Sequence, residues 1–172
     1  MNLTGKRVAY LLDEGFEDLE FWVPLMRLQE EGAAVTVVAA KMITFHGKAC
    51  LEARPDALAQ DVAAADFDAL VVPGGWAPDK MRRYPAITSL VRGVYEQNKI
   101  VAAICHAGLV LISAGIVKGH KATGSEGIKD DLINAGAVWV DEPAFRDGNL
   151  VWGRVVKDIP DFCRELVKAL ES

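Results

Sequence analysis

Short runs of apolar residues recur along the chain, and each run ends at a glycine or at a group of polar residues. A continuous apolar run of this length, bounded by turn residues, is typical of a strand that is buried on both faces of a parallel sheet. The four clearest runs predict four such strands, at residues 7–12, 34–40, 66–72 and 101–104.

Segments with a helical period separate these runs. The first begins near Glu17, repeats apolar residues three and four positions apart, and ends before Gly32. Pro24 fits this helix only if it lies in the first turns, because proline lacks the N–H that an interior position donates. Further helices are predicted at residues 86–98, 107–114, 126–134 and 160–170.

The alternation of strands and helices predicts a three-layer α/β sandwich around a mainly parallel sheet. Two smaller strand-containing segments are also predicted. Residues 43–53 are predicted to form a small hairpin that stands off the main sheet. A second strand-rich stretch, at residues 138–152, surrounds the turn at 146–149.

Length and charge narrow the possible functions. The 172 residues, 51% hydrophobic and 25% charged, suffice for a sizeable core, and residues 1–172 are predicted to form a single domain. A net charge of −5 and the lack of a basic run argue against binding to nucleic acid or anionic membranes. No apolar segment resembles a signal peptide or a membrane span, so the expected location is cytoplasmic. Three widely spaced cysteines form no metal motif, and no metal or other cofactor is predicted.

Cys105 lies at the predicted boundary between the strand at 101–104 and the helix that follows it. This position is that of a nucleophile elbow, with cysteine in place of serine. The positive end of the helix dipole and its unpaired N–H groups favour the reactive thiolate form. The alternative is that Cys105 is a small buried hydrophobic residue, as free cysteines often are.

Three loops lie at the carboxyl ends of predicted strands, where ligands bind in open α/β sheets. They comprise residues 13–18, residues 73–80 and the Cys105–His106 pair. Backbone N–H groups of Gly74 and Gly75, together with that of His106, could form an oxyanion hole. An ordinary glycine turn is the alternative.

Two side chains are candidates for acid–base work on the thiol. His106 follows Cys105 directly, so a Cys–His pair requires a turn that bends the imidazole back and an acid that orients it. Glu17, in the loop after the first strand, could reach the sulfur; beside a thiolate its pKa would rise and it could donate a hydrogen bond. The alternatives are a solvent-facing histidine and an acid that merely starts a helix.

Four motifs in this order resemble the ThiJ/PfpI family, and within it the PfpI-like intracellular cysteine hydrolases. They are EGFEDLE at 14–20, VVPGGWAPD at 71–79, AICHAG at 103–108 and IKDDLINAG at 128–136. The resemblance covers nearly the whole chain. It implies a flavodoxin-like sandwich, similar to the class I glutamine amidotransferases, with a strained elbow at Cys105.

The resemblance also implies roles for individual residues. Glu17 would be bonded to the sulfur, and the backbones of Gly75 and His106 would form the oxyanion hole. The acid that orients His106 would come from a neighbouring subunit, at the position of Asp79, where relatives carry a glutamate that is one methylene longer. The chain is therefore expected to form a homo-oligomer, either a dimer or a trimer of dimers.

Gly74, Trp76 and Ser125 are the residues expected to contact substrate, with Trp76 also placed at the subunit contact. The chain departs from its relatives around Ser125, since they often carry an aromatic residue and a proline near this position. The pocket wall is therefore expected to differ in shape and polarity.

Three activities fit these residues. The resemblance favours a PfpI-like cysteine hydrolase of the peptidase type, whose thiolate attacks a carbonyl carbon of a peptide or a small substrate. A deglycase or glyoxalase, acting on methylglyoxal or its adducts on amines and thiols, is the nearest alternative. The third is a redox-sensing stress protein or chaperone-like protein without enzymatic activity, in which Cys105 is oxidised reversibly. The residues alone do not choose between these three.

Overall fold

A computed structural model describes residues 2–172, and its centre is a seven-stranded sheet. The strands of the chain are β1 Arg7–Leu11, β2 Ala34–Ala39, β3 Phe45–His46, β4 Glu52–Ala53, β5 Ala57–Leu58, β6 Ala69–Val72, β7 Ile100–Ile104, β8 Lys121–Ala122, β9 Val138–Trp139, β10 Ala144–Asp147 and β11 Leu150–Gly153. The helices are α1 Asp18–Glu30, α2 Ala77–Met81, α3 Pro85–Glu96, α4 Gly108–Ala114, α5 Lys129–Asn134 and α6 Ile159–Glu171.

The central sheet has the strand order β10-β11-β7-β6-β1-β2-β5. Every neighbouring pair is parallel except β10 with β11, which form an antiparallel hairpin at one edge. Two helix pairs flank the sheet, α1 with α6 and α3 with α4. The predicted α/β sandwich with a mainly parallel sheet is confirmed.

The middle strands carry the core and position the loops. Every residue of β6 and β7 is buried, as continuous apolar runs predict. The register pairs Val72 with Ala103, so these two strands end side by side. The loops that follow them are therefore brought together at the carboxyl edge of the sheet.

Pro24 is the seventh residue of α1, so the expectation that it would lie in the first turns is wrong. A proline at this position cannot donate to the carbonyl oxygen four residues earlier, that of Glu20. The buried hydroxyl of Tyr10 donates to this oxygen instead, at 2.6 Å. A contact from the neighbouring strand β1 thus replaces the missing helical hydrogen bond.

Smaller elements differ from the prediction. The hairpin of β3 and β4 does stand apart from the main sheet, but each of its strands has only two residues. In the predicted strand-rich stretch, β9 pairs in parallel with β8, and β11 pairs with β10. The segment after Trp76, expected to be a loop, forms α2, and Pro78 lies in its first turn, where the missing N–H costs nothing. Within residues 2–172, none of the helices combines the length and the apolar character that a membrane span requires.

Candidate active site

The chain makes a sharp, strained turn at Cys105, directly after β7 ends. Cys105 has a φ of 62°, in the left-handed region that residues with a side chain rarely adopt. A short 3₁₀ turn, Cys105–Ala107, then leads into α4. The N–H of Ser125 donates to the Cys105 carbonyl oxygen at 3.1 Å and helps to hold this conformation. The half-buried thiol therefore lies on a rigid elbow.

The carboxylic acid beside this thiol is that of Glu20, in the first turn of α1. Glu20 is fully buried, and its Oε2 accepts a hydrogen bond of 2.9 Å from the Gly74 N–H. Its Oε1 has no hydrogen-bond partner within residues 2–172, and the carboxyl group is close enough to the Cys105 thiol for each to shift the pKa of the other. A methyl group added at Gly74 would clash with Glu20 Oε2 and lie only 2.7 Å from Cys105 Cβ. The acid and the thiol can approach each other because residue 74 is glycine.

The assignment of Glu17 as the acid on the sulfur is therefore corrected. Glu17 is the N-cap of α1, and its Oε2 accepts a hydrogen bond of 2.8 Å from the Glu20 N–H. In many helices an acid three residues after the N-cap turns back toward it. Here Glu20 points into the sheet instead, while Glu17 remains in the wall of the site.

Burial and the charge of Glu20 raise the pKa of the Cys105 thiol to about 12, although the N–H groups of His106 and Gly75 act in the opposite direction. Burial and the charge of Glu17 raise the pKa of Glu20 to about 7. The expectation that the helix terminus lowers the pKa of the thiol is thus wrong while Glu20 is ionised. Acid and thiol form one titrating unit, which loses its first proton near pH 7 and holds its second far more tightly.

His106 is bent back toward the thiol, with its Nδ1 3.3 Å from Cys105 Sγ. Burial, together with the nearby charge of Lys48, lowers the pKa of the imidazole. The ring is therefore neutral near pH 7 and able to accept a proton. No hydrogen bond of His106 Nε2 is found in the described part of the chain.

Asp79 lies on the exposed side of α2, where it forms an ion pair with Arg83. It does not belong to the wall of the site and does not contact the imidazole of its own chain. The contribution of Asp79 across a subunit contact stays a prediction.

A cleft of about 440 Å³ opens onto the thiol. We call it the Cys105 cleft. Trp76 lies at its edge with 61% of its surface exposed. Four of its wall residues carry no local signal in the sequence, because they reach the site only through tertiary folding: Lys48, Val155, Val156 and Lys157. The complete lining is Glu17, Glu20, Lys48, Gly75, Trp76, Cys105, His106, Val155, Val156 and Lys157.

Two residues expected to contact substrate have other roles in the structure. The N–H of Gly74 is donated to Glu20, so it does not point at the space above the thiol. Ser125 supports the elbow through its backbone and is not part of the Cys105 cleft. Residues 2–172 contain no group of three or more histidine, cysteine or acidic side chains arranged to hold a metal ion.

Comparison with known proteins gives consistent matches. The sequence model of the DJ-1/PfpI family matches residues 6–169. Deglycase PH1704 of Pyrococcus horikoshii is 42% identical over 165 residues, which cover 96% of this chain and 99% of that protein. The candidate cysteine protease YraA of Bacillus subtilis is 37% identical, over 97% of this chain and 99% of its own length. A crystal structure of a two-domain protein from Anabaena variabilis, with DJ-1/ThiJ/PfpI-like and ferritin-like domains, matches with a TM-score of 0.94 and 40% identity over 96% of this chain and 48% of that one.

Proposed function

Because the chain belongs to the DJ-1/PfpI family, we propose that it is a cysteine-dependent enzyme that acts on carbonyl substrates, and specifically a deglycase of methylglyoxal adducts on amines and thiols. The observation that supports this most is the buried pair of Glu20 and Cys105 at the floor of an open cleft. A thiol and a carboxylic acid that share one proton can supply both a nucleophile and an acid.

In the first step the adduct releases its amine or thiol, which takes up the proton of the carbinol O–H, and the Cys105 thiolate adds to the aldehyde carbon that this exposes, whose C=O π pair moves to oxygen. Transfer of a proton from this carbon to the neighbouring ketone carbon then gives a lactoyl thioester, which water hydrolyses to lactate and the free thiol. The N–H groups of Gly75 and His106, which already point to the sulfur, stabilise negative charge at this place. The protonated carboxyl of Glu20 supplies a proton to the new oxyanion. The neutral His106 imidazole accepts a proton from substrate or water.

The overall reaction needs no external oxidant. The aldehyde carbon of methylglyoxal becomes a carboxylate while the neighbouring ketone becomes an alcohol, and one water is consumed. The amine or thiol that carried the adduct is released unchanged. This exchange of oxidation state between two carbons requires proton transfers, which the acid and the base beside the Cys105 thiol can carry out.

The peptidase activity favoured by the sequence analysis is the second candidate, supported by the similarity to YraA. Peptide hydrolysis requires an imidazole that is oriented by an acid, because the leaving amine must be protonated. His106 has no such acid among residues 2–172 of its own chain, so a peptidase would depend on Asp79 of an adjacent subunit in a homo-oligomer. The carbonyl carbon of a methylglyoxal adduct is more electrophilic than an amide and does not need that triad.

The two candidates are separated by measuring the turnover of a methylglyoxal adduct and of a fluorogenic peptide by the same preparation. We expect the adduct to be turned over, the Cys105→Ser variant to be inactive, and the Cys50→Ser control, at an exposed cysteine, to retain activity. Turnover of the peptide alone would show that the protein is a peptidase. Equal activity of Cys105→Ser and the native protein would refute both.

A further inference from the structure

Two lysine side chains enter the Cys105 cleft from distant parts of the chain. Lys48 lies in the turn between β3 and β4, and Lys157 lies just before α6. Lys48 Nζ is 5.3 Å from the centre of the Trp76 ring at the edge of the cleft. Neither ammonium group is within ion-pair distance of a carboxylate among residues 2–172.

The charge balance of the Cys105 cleft is unusual for this chain, which has a net charge of −5. Its two lysines face the carboxylate of Glu17, which is already hydrogen-bonded to the start of α1, and Glu20, which keeps its proton up to about pH 7. The charge of Lys48 also acts on the reacting groups, since it lowers the pKa of His106. The two lysine charges therefore offset both Glu17 and the Cys105 thiolate, so an anionic substrate meets no net negative charge above the thiol.

An adjoining cleft of about 450 Å³ shares Val155 and Lys157 with the Cys105 cleft but has other charged side chains in its wall. Its arginine, Arg154, is paired with both Asp141 and Asp158. Lys129 also lines this adjoining cleft without a carboxylate at ion-pair distance among residues 2–172, and Lys157 is common to both clefts, so Lys48 is the lysine that distinguishes the cleft of the nucleophile.

We propose that Lys48 and Lys157 form an anion subsite that selects substrates with a carboxylate near the reacting carbonyl group. This inference rests on the proposed function and narrows its substrate class to adducts carried by molecules with a free carboxylate. Each lysine contributes a partly screened attraction, for which a two- to five-fold effect is the expected order of magnitude, roughly that of an exposed ion pair.

The subsite can be tested without any turnover by alkylating Cys105 with iodoacetate and with iodoacetamide. The thiolate attacks the same carbon and displaces the same iodide in both reagents. They differ in that iodoacetate carries a negative charge and iodoacetamide does not. Their rate ratio at Cys105, followed by peptide mass spectrometry at low salt, therefore cancels any change in the thiolate fraction. We expect Lys48→Met and Lys157→Met each to lower the iodoacetate-to-iodoacetamide ratio by about two- to five-fold, and high salt to lower the native ratio as well.

Lys168→Met, on the exposed surface of α6, is the matched control and should leave the ratio unchanged. An unchanged ratio in the Lys48→Met/Lys157→Met double variant would overturn the subsite. An equal fall in the Lys168 control would do the same, because the effect would then come from overall charge.

Turnover provides the second arm of the experiment. The substrates are the methylglyoxal adducts of N-acetylcysteine and of its neutral amide. The double variant should raise KM for the carboxylate adduct and leave KM for the amide adduct unchanged. If the native protein turns over neither adduct but its alkylation ratio depends on the two lysines, the deglycase proposal fails and the subsite stands. If both adducts are turned over equally and the alkylation ratio does not depend on the two lysines, the subsite fails and the deglycase proposal stands.

Discussion

Replacing the buried acid Glu20 by glutamine should change how the stability of the protein depends on pH. The pKa of Glu20 is raised from 4.5 to about 7, with burial as the main cause. The unfolded chain thus releases this proton at a lower pH than the folded chain does. The stabilising contribution is complete below pH 4.5 and is lost as the pH rises through about 7.

The size of this loss follows from the shift. At about 1.4 kcal/mol for each pKa unit, ionising Glu20 in the folded protein costs about 3 kcal/mol at pH 8 relative to pH 4. Glutamine keeps an oxygen that accepts from the Gly74 N–H but has no charge to bury. Glu20→Gln should therefore match the native protein near pH 4 and exceed its stability by up to about 3 kcal/mol at pH 8.

Urea unfolding at several pH values, at one fixed protein concentration, measures this difference. The concentration is held constant because an oligomer gains stability by mass action. Glu30→Gln, at an exposed position on the same helix, is the control and should show no such divergence. A difference between the native protein and Glu20→Gln that stays constant from pH 4 to pH 8 would refute the argument.

Three further predictions concern packing and assembly. Gly74→Ala should reduce activity more than ten-fold and cost roughly 1–3 kcal/mol of stability, because its methyl group would separate the acid from the thiol; Gly127→Ala, whose methyl group would make only an ordinary contact of 3.5 Å, with His106 Nε2, is the control for stability and should leave urea unfolding unchanged. Tyr10→Phe should cost roughly 1–3 kcal/mol in urea unfolding, because the buried Glu20 carbonyl oxygen loses its donor, and an unchanged stability would contradict this. Light scattering after size exclusion should show at least a dimer, with Asp79→Asn lowering peptidase activity if that activity exists; a monomer with full activity at every concentration would exclude the shared site.

Local patterns were sufficient to predict the middle of the sheet and the elbow. The strands β6 and β7 are continuous apolar runs because both of their faces are covered, and this leaves a direct signal in the sequence. Cys105 could be placed at a strand end because the run before it and Gly115 after the next helix mark both boundaries. Gly115 indeed adopts the left-handed conformation that ends a helix.

Features that depend on contacts between distant segments could not be predicted in the same way. Two acids of one motif, Glu17 and Glu20, are equivalent as sequence, and only the direction of α1 decides which one reaches the sulfur. The raised pKa of the thiol depends on burial, which competes with the helix terminus and outweighs it. Lys48 and Lys157 are 109 positions apart, so nothing local associates either of them with the site.

Cys105 is the reactive nucleophile of this protein, and the adjacent acid Glu20 controls its ionisation. The most direct test is the rate of iodoacetamide alkylation at each of the three cysteines between pH 5 and pH 9, in the native protein and in Glu20→Gln. We predict that Cys105 reacts faster than Cys50 and Cys163 below neutral pH, where Glu20 is protonated and its charge does not oppose the thiolate, with an inflection near pH 7 that Glu20→Gln removes. Faster alkylation of either other cysteine below neutral pH, or identical Cys105 profiles in the two proteins, would contradict it.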